Sequence, residues 1–296
     1  MEPVLRVQEN ASNSEEGVVS YDLPKMIWNL GMIALAICFA PSTFSFEALL
    51  LFLLSTYFSL LIGHSVGMHR MMIHRTFNCP KVVERTLIYI GVLVGMSGPY
   101  GIIKIHDLRD WAQRKDNCHD FFSHSQGYFK DLWWQLTSKF EFSNPPKVMI
   151  ESKLADDLFI RFLEKSWRLH QLLLAVFLYY LGGWSFVVWG VFLRVAISNV
   201  GHWSITYFCH NPGPGKWRVK DAAVQASNIP GLGIVSYGEC WHNNHHAFPE
   251  SAKIGLEKGQ SDPAWWFILL LSRLGLANNI RTPRKIDQRD DIYPVG

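Results

Sequence analysis

The sequence has few cysteines, and none of them lies in a paired motif. The five cysteines are far apart in the chain and form no CxxC pair. This spacing argues against a disulfide framework and against a thiolate zinc site, and it suits a reducing compartment. The cysteines are Cys38, Cys79, Cys118, Cys209 and Cys240.

Charged residues are also scarce. They make up 18% of the 296 residues, below the roughly 25% of a typical soluble domain, whereas hydrophobic residues make up 49%. This deficit of charge indicates a protein that is embedded in a lipid bilayer. The net charge of +3 is small and no basic run stands out, which argues against a nucleic-acid-binding protein.

The first twenty residues lack the apolar stretch of a secretory signal. They read MEPVLRVQENASNSEEGVVS, which is polar and acidic, so we expect no cleavable signal peptide. We expect residues 1–22 to form a disordered N-terminal segment and residues 284–296 to form a polar C-terminal tail. Residues 23–283 are predicted to form one membrane domain with a cytosolic cap.

Two apolar runs near the start of the chain predict a first helical hairpin. Residues 26–40 and 44–63 are apolar, and a membrane-spanning helix needs roughly 20 such residues. The connection around Pro41 contains no Lys or Arg, whereas Lys25 precedes the first run and Arg70 follows the second. Because basic residues are enriched at the cytoplasmic ends of spans, both ends of this hairpin are predicted to face the cytoplasm.

A second apolar block, residues 169–200, predicts another hairpin. It is too long for one span, and the pair Gly182 and Gly183 lies where a turn would divide it. Basic residues flank the block but are absent from the turn. The sequence therefore predicts an all-α integral membrane protein with four transmembrane helices in two hairpins and a cytosolic helical cap.

The segment between the hairpins is predicted to build the cap. Residues 87–105 are apolar but are interrupted by Gly95, Gly98 and Pro99. We expect a helix at the membrane interface or on the cytoplasmic domain, because a fifth span would move the later histidines to the opposite side. Residues 106–168 mix both charge signs, as a soluble cap would.

The chain has twelve histidines, and the predicted topology places nearly all of them on the cytoplasmic side. The two hairpins are oriented from Lys and Arg alone, although the histidines are used to reject a fifth span. Histidines that only filled space would appear at both membrane faces. The histidines are His64, His69, His74, His106, His119, His124, His170, His202, His210, His242, His245 and His246.

The stretch GECWHNNHHAFP concentrates three of these histidines. On a helix, His242 would share one face with His245 and His246 at spacings of three and four. Imidazole suits iron, zinc or copper, and the absence of clustered thiolates argues against an iron–sulfur cluster. A purely hydrogen-bonded polar surface is the weaker interpretation. Crowded imidazoles repel each other once protonated, whereas a metal holds them neutral.

The stretch GMHRMMIHR is more ambiguous. Five residues separate His69 from His74, which is about 140° around an α-helix. The two side chains could therefore reach different metals or different faces of one cavity. An interfacial helix whose polar side chains reach the lipid headgroups is an equally good interpretation.

The remaining polar residues have weaker signals. A single histidine after the last apolar block, His202, is more often structural than a ligand. His119, His124 and His210 are predicted to lie in loops without a metal role, and His64 and His170 are not expected to be ligands. Arg194 lies deep in the last span, and we expect it to face the bundle interior or an aqueous cavity.

Taken together, these motifs resemble the membrane-bound fatty acid desaturases of the acyl-CoA (stearoyl-CoA) type. GMHRMMIHRTF is similar to the first histidine box of that family, HxxxxH followed by Arg and an aromatic residue. GECWHNNHHAFP is similar to its third box, HxxHH. The segment GLEKGQSDPAWWFILLLSRLGLANNIRTP resembles the closing helix of the family, so the likeness runs from about residue 63 to residue 283.

The resemblance implies a fold, a cofactor and a reaction. It implies four membrane helices and a cytosolic cap that holds two irons, O2 as the oxidant, and an acyl chain carried by CoA, acyl carrier protein or a lipid as the substrate. A separate electron donor of the ferredoxin, rubredoxin or cytochrome b5 type would supply electrons. The ligands carried over by the motifs are His69, His74, His106, His202, His242, His245 and His246, and no other catalytic residue is assigned.

The sequence departs from the family in its second box. The family has HxxHH, whereas this chain has HDLRD from His106 to Asp110. Asp110 is a candidate carboxylate ligand, but Arg109 stays protonated and cannot ligate a metal. The charge of Arg109 would oppose a nearby cation unless a carboxylate such as Asp107 or Asp110 neutralises it. A second departure is Ser198, which stands four residues before His202, where the family has Asn.

These departures leave alternatives open. The site could hold two irons with an altered ligand set or a single iron, and it could hydroxylate rather than desaturate. The chain could also be a metal- or lipid-binding membrane protein without catalysis. A b-type haem protein is the weakest alternative, because haem ligation needs opposed histidines inside a bundle.

Overall fold

Helices form most of the described chain. The structure, a computed structural model, describes residues 6–9, 11–283 and 290–295. The α-helices are α1 Leu23–Phe39, α2 Phe46–Phe58, α3 Lys81–Leu93, α4 Pro99–Gln113, α5 Asp120–Ser123, α6 Tyr128–Thr137, α7 Ser152–Ala155, α8 Leu158–Val187, α9 Arg194–Cys209, α10 His242–Ala247 and α11 Pro263–Arg273. Two π-helical segments are π1 Ser59–Ile73 and π2 Val188–Leu193.

The first apolar hairpin consists of α1, α2 and π1. The side chain of Asp22 caps α1 by accepting a hydrogen bond from Lys25 N, and Ser45 caps α2 in the same way through Ala48 N. Together α2 and π1 form an uninterrupted helix, Phe46–Ile73, that is long and apolar enough to cross a membrane. Its partner α1 is a shorter apolar helix of 17 residues.

The second apolar block consists of α8, π2 and α9. It spans Leu158–Cys209 and is also apolar enough to cross a membrane. The backbone leaves helical geometry at Gly182 and Gly183, and Gly183 has φ 67°, a conformation that glycine adopts without steric strain. The predicted break of the block at this glycine pair is confirmed.

A large apolar surface on α8 is exposed. Leu172, Phe177 and Leu181 are 60%, 58% and 61% exposed, respectively. Soluble monomers rarely leave contiguous patches of such side chains in water. This surface and the two long apolar helices indicate that the protein associates with a membrane.

Close packing joins π1 to α3. A Cβ atom added at Gly63 would lie 2.3 Å from Gly91 N, and one added at Gly67 would lie 2.7 Å from Leu87 O. The two helices therefore touch backbone to backbone, with only glycine hydrogens between them. This contact fixes the end of π1 that carries His69.

Arg194 faces the interior, as predicted. It is 1% exposed and donates hydrogen bonds to Gly190 O, to Leu93 O and to Gln171 Oε1. These acceptors compensate the loss of water around its guanidinium group. The bonds also tie α9 to the end of α3 and to α8.

The chain between the hairpins follows the predicted interruption. Helix α3 ends at Leu93 and α4 begins at Pro99, because Gly95 and Gly98 between them favour a break and proline is well suited to the first position of a helix. Helices α4 to α7 then lead to α8 and include the residues of the divergent second box.

The N-terminal segment differs from the expected disorder over residues 1–22. Strand β2, Gly17–Tyr21, pairs antiparallel with β3, Ser138–Phe142, and β1, Val7–Gln8, pairs with β4, Lys147–Val148. Local sequence did not predict these strands, because the segment is polar and its backbone partners lie more than a hundred residues away in the chain. Residues 1–5 and 10 lie outside the described residues.

Part of the predicted C-terminal tail also forms a strand. Strand β6, Ile292–Pro294, pairs with β5, Trp217–Val219, and Ile292 is buried against it. Residues 284–289 and 296 of the predicted tail lie outside the described residues.

Candidate metal centre

Four histidines from distant parts of the chain converge into a first cluster. The Nε2 atom of His69 lies 3.2 Å from that of His245 and 3.2 Å from that of His74, whose Nε2 is in turn 3.2 Å from that of His106. The four ligand atoms all lie within 4.8 Å of one another. Their elements are π1 and the residue after it, α4 and α10.

Carboxylates orient two of these imidazole rings through Nδ1, the ring nitrogen that is not the ligand atom. Glu239 Oε2 lies 2.8 Å from His69 Nδ1, and Asp107 Oδ1 lies 3.0 Å from His106 Nδ1. A carboxylate on Nδ1 fixes the ring so that Nε2 is free to bind a metal. Although burial opposes ionisation of Glu239, His69 and Arg70 hold its pKa well below the usual range.

The N-terminal segment supports this arrangement. Arg6 is 2% exposed and lies 3.0 Å from both Asp107 Oδ2 and Glu151 Oε2. Its Nη2 atom also donates to Ile73 O, the carbonyl before His74. Arg6 thus links Asp107, which orients His106, to the backbone next to His74.

A second cluster contains His210, His242 and His246. The Nε2 atoms of His242 and His246 are 3.1 Å apart, and the three ligand atoms lie within 4.8 Å of one another. His210 Nδ1 donates to Thr206 O at 2.7 Å. Its buried Nε2 has no hydrogen-bond partner among the described residues.

Asp110 lies between the two clusters. Its Oδ2 is 3.6 Å from His106 Nε2, and its Oδ1 is 3.3 Å from Arg109 Nη2. Burial opposes ionisation of this carboxyl, but His106, Arg109 and His246 hold its pKa well below the usual range. Asp110 therefore neutralises Arg109, whereas Asp107 pairs with Arg6 and His106.

Both clusters fit a bound metal ion. Two nitrogens that share an ion at about 2.1 Å stand about 3.0–3.4 Å apart in octahedral or tetrahedral geometry, which matches the 3.1–3.2 Å separations in both clusters. Burial lowers the pKa of His246 to about 3 and that of His242 and His245 well below the ordinary range. These imidazoles are neutral, as metal ligands must be.

A cavity of about 430 Å³ adjoins the second cluster. Its lining includes Thr206, whose carbonyl holds His210, and His124, whose ring centroid is 5.5 Å from that of His210. Ile102, Leu108 and other large apolar side chains form much of the wall. The volume is in the range of about 300–1,000 Å³ that small-molecule sites occupy.

The profile of the family described as fatty acid desaturase matches residues 44–254. The chain belongs to the fatty acid desaturase family. It is therefore an oxidoreductase of lipid metabolism, and the resemblance predicted from its histidine motifs is confirmed.

Alignments of this desaturase with its relatives cover most of this chain and most of each relative. It is 34% identical over 253 residues to an sn-1 stearoyl-lipid 9-desaturase of Anabaena variabilis, which is 83% of this chain and 89% of the relative. It is 35% identical over 252 residues to Delta-9 acyl-lipid desaturase 2 of Arabidopsis thaliana, covering 84% and 80%. An acyl-CoA C20 Delta5-desaturase of Anemone leveillei is 31% identical over 261 residues, covering 88% and 82%.

The structure of the desaturase places most of the predicted ligands in two clusters. The three histidines of HNNHH do not serve one cluster. His245 joins the first cluster, while His242 and His246 join the second, so α10 lies between the two. His202 belongs to neither cluster and packs against His64, with ring centroids 4.5 Å apart.

His210 is the residue of the second cluster that sequence reasoning missed. Its only signal is its position at the end of the last apolar helix, directly after Cys209. Two other histidines, His119 and His170, lie outside both clusters. His124 is also outside both clusters but lines the cavity.

Proposed function

We propose that this protein introduces a double bond into a fatty acyl chain at a two-iron site, with O2 as the oxidant. The observation that carries the proposal is the convergence of seven histidines into two clusters of metal-ligand geometry. A cavity whose wall is largely apolar lies near the second of them. An apolar chain in that cavity would place its carbons near the second cluster. No charged group of the substrate would have to be buried there.

The ligand set of each iron follows from the clusters. His69, His74, His106 and His245 would hold one iron, and His210, His242 and His246 would hold the other. Asp110, whose Oδ2 lies 3.6 Å from His106 Nε2, would add a carboxylate next to the first cluster. Histidine and carboxylate are ligands of non-haem iron. Bound iron supplies the oxidising power, drawn from O2 and two electrons, that removes two hydrogens from the acyl chain.

The cavity suits an acyl chain that is attached to a polar carrier. Lys25, Lys139 and Arg168 line the cavity, and the last two are exposed, while apolar side chains form much of the rest of its wall. The exposed cations would hold the carboxylate or phosphate groups of a carrier such as acyl-CoA, acyl carrier protein or a lipid. The names of the relatives include both acyl-lipid and acyl-CoA desaturases.

The membrane topology is part of the proposal. Four spans would arise from α1, from α2 with π1, and from the two halves of the second block on either side of Gly182 and Gly183. The clusters would then face the cytoplasm, where a separate ferredoxin, rubredoxin or cytochrome b5 type protein would deliver electrons. The distribution of Lys and Arg supports this orientation.

A second candidate function rests on Arg109. Its guanidinium lies 3.3 Å from Asp110, at the position where the family has a histidine ligand. A site changed in this way could hydroxylate the chain, or could bind metal or lipid without oxidising anything. The test of the first function also decides between these outcomes.

Iron stoichiometry and lipid analysis test the proposal together. The purified chain should contain two irons, and a host that expresses it should accumulate an unsaturated acyl chain that is absent with the His245→Ala form. His170→Ala is the matched control, because His170 is buried but lies outside both clusters. A hydroxylated product, or bound metal without O2 consumption, would favour the second candidate.

Asp110 can be tested separately. Asp110→Ala should lower the iron content, because the carboxylate of Asp110 stands where the family has a histidine ligand and lies 3.6 Å from His106 Nε2. Unchanged iron content would exclude Asp110 as a ligand without affecting the roles of the histidines.

A further inference from the structure

A smaller cavity, of about 290 Å³, adjoins the first cluster. His74 and His106, two of the four histidines of that cluster, line this cavity. His74 is half-buried, whereas the other three histidines of the cluster are buried. The larger cavity near the second cluster has none of these four among its described lining residues. The smaller cavity is therefore the described space from which an ion can reach the first cluster.

The N-terminal residues 6–9 form part of the wall of this smaller cavity. Arg6, Val7 and Glu9 all line it. The segment contains strand β1, which has two residues and pairs with β4, and the side chains of Gln8 and Glu9 are exposed. A short strand near a chain terminus with few buried contacts opens at a lower free energy than packed helices do. Residues 6–9 are thus the part of the wall that can move while the helices stay in place.

Arg6 fastens this segment to the first cluster. Its Nη1 atom lies 3.0 Å from Asp107 Oδ2, and the other oxygen of Asp107 lies 3.0 Å from His106 Nδ1. Its Nη2 atom donates to Ile73 O at 3.1 Å, and Ile73 directly precedes His74. The bonds of one side chain therefore end beside both histidines that line the smaller cavity.

Two further contacts hold the segment in place. The Nε atom of Arg6 lies 3.0 Å from Glu151 Oε2. Glu9 Oε1 accepts a hydrogen bond from Trp111 Nε1 at 3.2 Å and pairs with Lys115. Exposed ion pairs contribute little, whereas breaking a buried pair leaves an uncompensated charge. Because Arg6 is 2% exposed, its contacts are the ones that keep the segment closed.

We propose that residues 6–9 are a strap that closes the path of iron to the first cluster, and that Arg6 holds the strap closed. The inference rests on the proposed function, because it takes the first cluster as an iron site. When the strap opens, iron enters or leaves through the smaller cavity. Arg6 is a positioning residue, since it acts through Asp107 and the backbone next to His74, and the second cluster does not depend on it.

The test measures how fast bound iron passes to an excess of EDTA. The full iron-loaded chain in lipid nanodiscs would be mixed with EDTA, and the iron that stays bound would be measured over time. Each cluster should give one phase of release. The phase of the first cluster is the one that remains in His210→Ala, because that variant lacks a histidine of the second cluster only.

The variant Arg6→Gln removes the charge that holds the strap. It should release iron from the first cluster about 10–100-fold faster than the wild-type chain, with the second phase unchanged. Gln8→Ala is the matched control. Gln8 lies in the same strand, but its side chain is exposed and is not among the described residues that line the smaller cavity. It should release iron at the rate of the wild-type chain.

A disulfide that locks the strap tests its movement directly. Val7 and Val148 are directly opposite each other in the pair of β1 with β4. Opposite residues in antiparallel strands have Cα atoms about 4.5–5.5 Å apart, a separation that a disulfide can bridge. In the double variant Val7→Cys with Val148→Cys, oxidised glutathione would form the bridge. Release from the first cluster should then slow about tenfold or more.

Reduction of the bridge by tris(2-carboxyethyl)phosphine should restore fast release, which a purely structural role of Arg6 would not predict. Val7→Cys alone, treated with the same reagents, is the control and should not change its rate.

Equal release from the wild-type chain and Arg6→Gln would overturn the inference, as would a bridged chain that releases iron as fast as the reduced one. Acceleration of both phases to the same extent in Arg6→Gln would also overturn it, by showing a general loss of structure. Failure of the desaturase function would appear separately, as a chain that releases iron in the expected way but forms no unsaturated product.

Discussion

His69 and His74 are five residues apart in the chain, and their Nε2 atoms are 3.2 Å apart. In an α-helix the two side chains would point in different directions, but π1 is wound with hydrogen bonds between residues five apart, and His74 N donates to His69 O at 3.1 Å. The wider turn brings the two imidazoles together edge to face, with ring centroids 4.8 Å apart. Both residues of the first histidine box therefore serve one cluster.

The close contact of π1 with α3 makes the first cluster sensitive to a single methyl group. Gly63→Ala would place Cβ 2.3 Å from Gly91 N, a backbone atom that cannot move alone. We expect this change to cost about 1–3 kcal/mol of stability and to reduce iron binding by the first cluster. Thermal unfolding and iron content measure both effects.

Gly31→Ala is the matched control for that change, because a Cβ there would meet nothing within 4 Å. It should leave iron content unchanged and melting unchanged or slightly raised. Equal behaviour of the two variants would contradict the proposed role of the glycine contact.

His210 provides a direct test of the second cluster. His210→Ala removes one of its three histidines and leaves the first cluster intact. The iron content should fall from two toward one per chain, and the unsaturated product should disappear. His119→Asn should keep both irons, and retention of both irons by His210→Ala would remove His210 from the ligand set.

Glu239 tests how much the orientation of His69 matters. Glu239→Gln keeps the size of the side chain but weakens its bond to His69 Nδ1 and its ion pair with Arg70. Changes in such partners of metal ligands typically lower metal affinity about 10–100-fold. Competition with a chelator measures this loss.

Glu257→Gln is the control for the Glu239 change, because Glu257 pairs only with Lys216 at the exposed surface in the described structure. It should not change iron affinity. The role assigned to Glu239 is wrong if both variants release iron at the same chelator concentration.

The proposed topology predicts which residues reagents can reach. In a background with the exposed Cys38 replaced by Ala, Ser42→Cys lies in the turn after α1 and Lys81→Cys lies at the start of α3. A membrane-impermeant maleimide added outside intact cells should label Ser42→Cys and spare Lys81→Cys. Labelling of both from outside, or of Lys81→Cys alone, would contradict a cytoplasmic metal centre.

The predictable parts of the site are those encoded by short stretches of sequence. The first and third boxes place His69, His74, His242, His245 and His246 at spacings that motifs can recognise, and all five lie in the clusters. Local pattern did not show which of His202 and His210 reaches a cluster: His202 lies in the middle of α9 and His210 directly follows its last residue. Which of them reaches the second cluster depends on where α9 packs against α10.

The sequence by itself determined that the chain is apolar and helical, where the second block breaks, and which family it belongs to. These properties follow from composition, from two adjacent glycines and from residues only a few positions apart. Only the tertiary structure decided that α10 divides its histidines between two clusters and that Arg6 supports His106. Such relationships join residues far apart in the chain, so they depend on how helices pack and not on any local pattern.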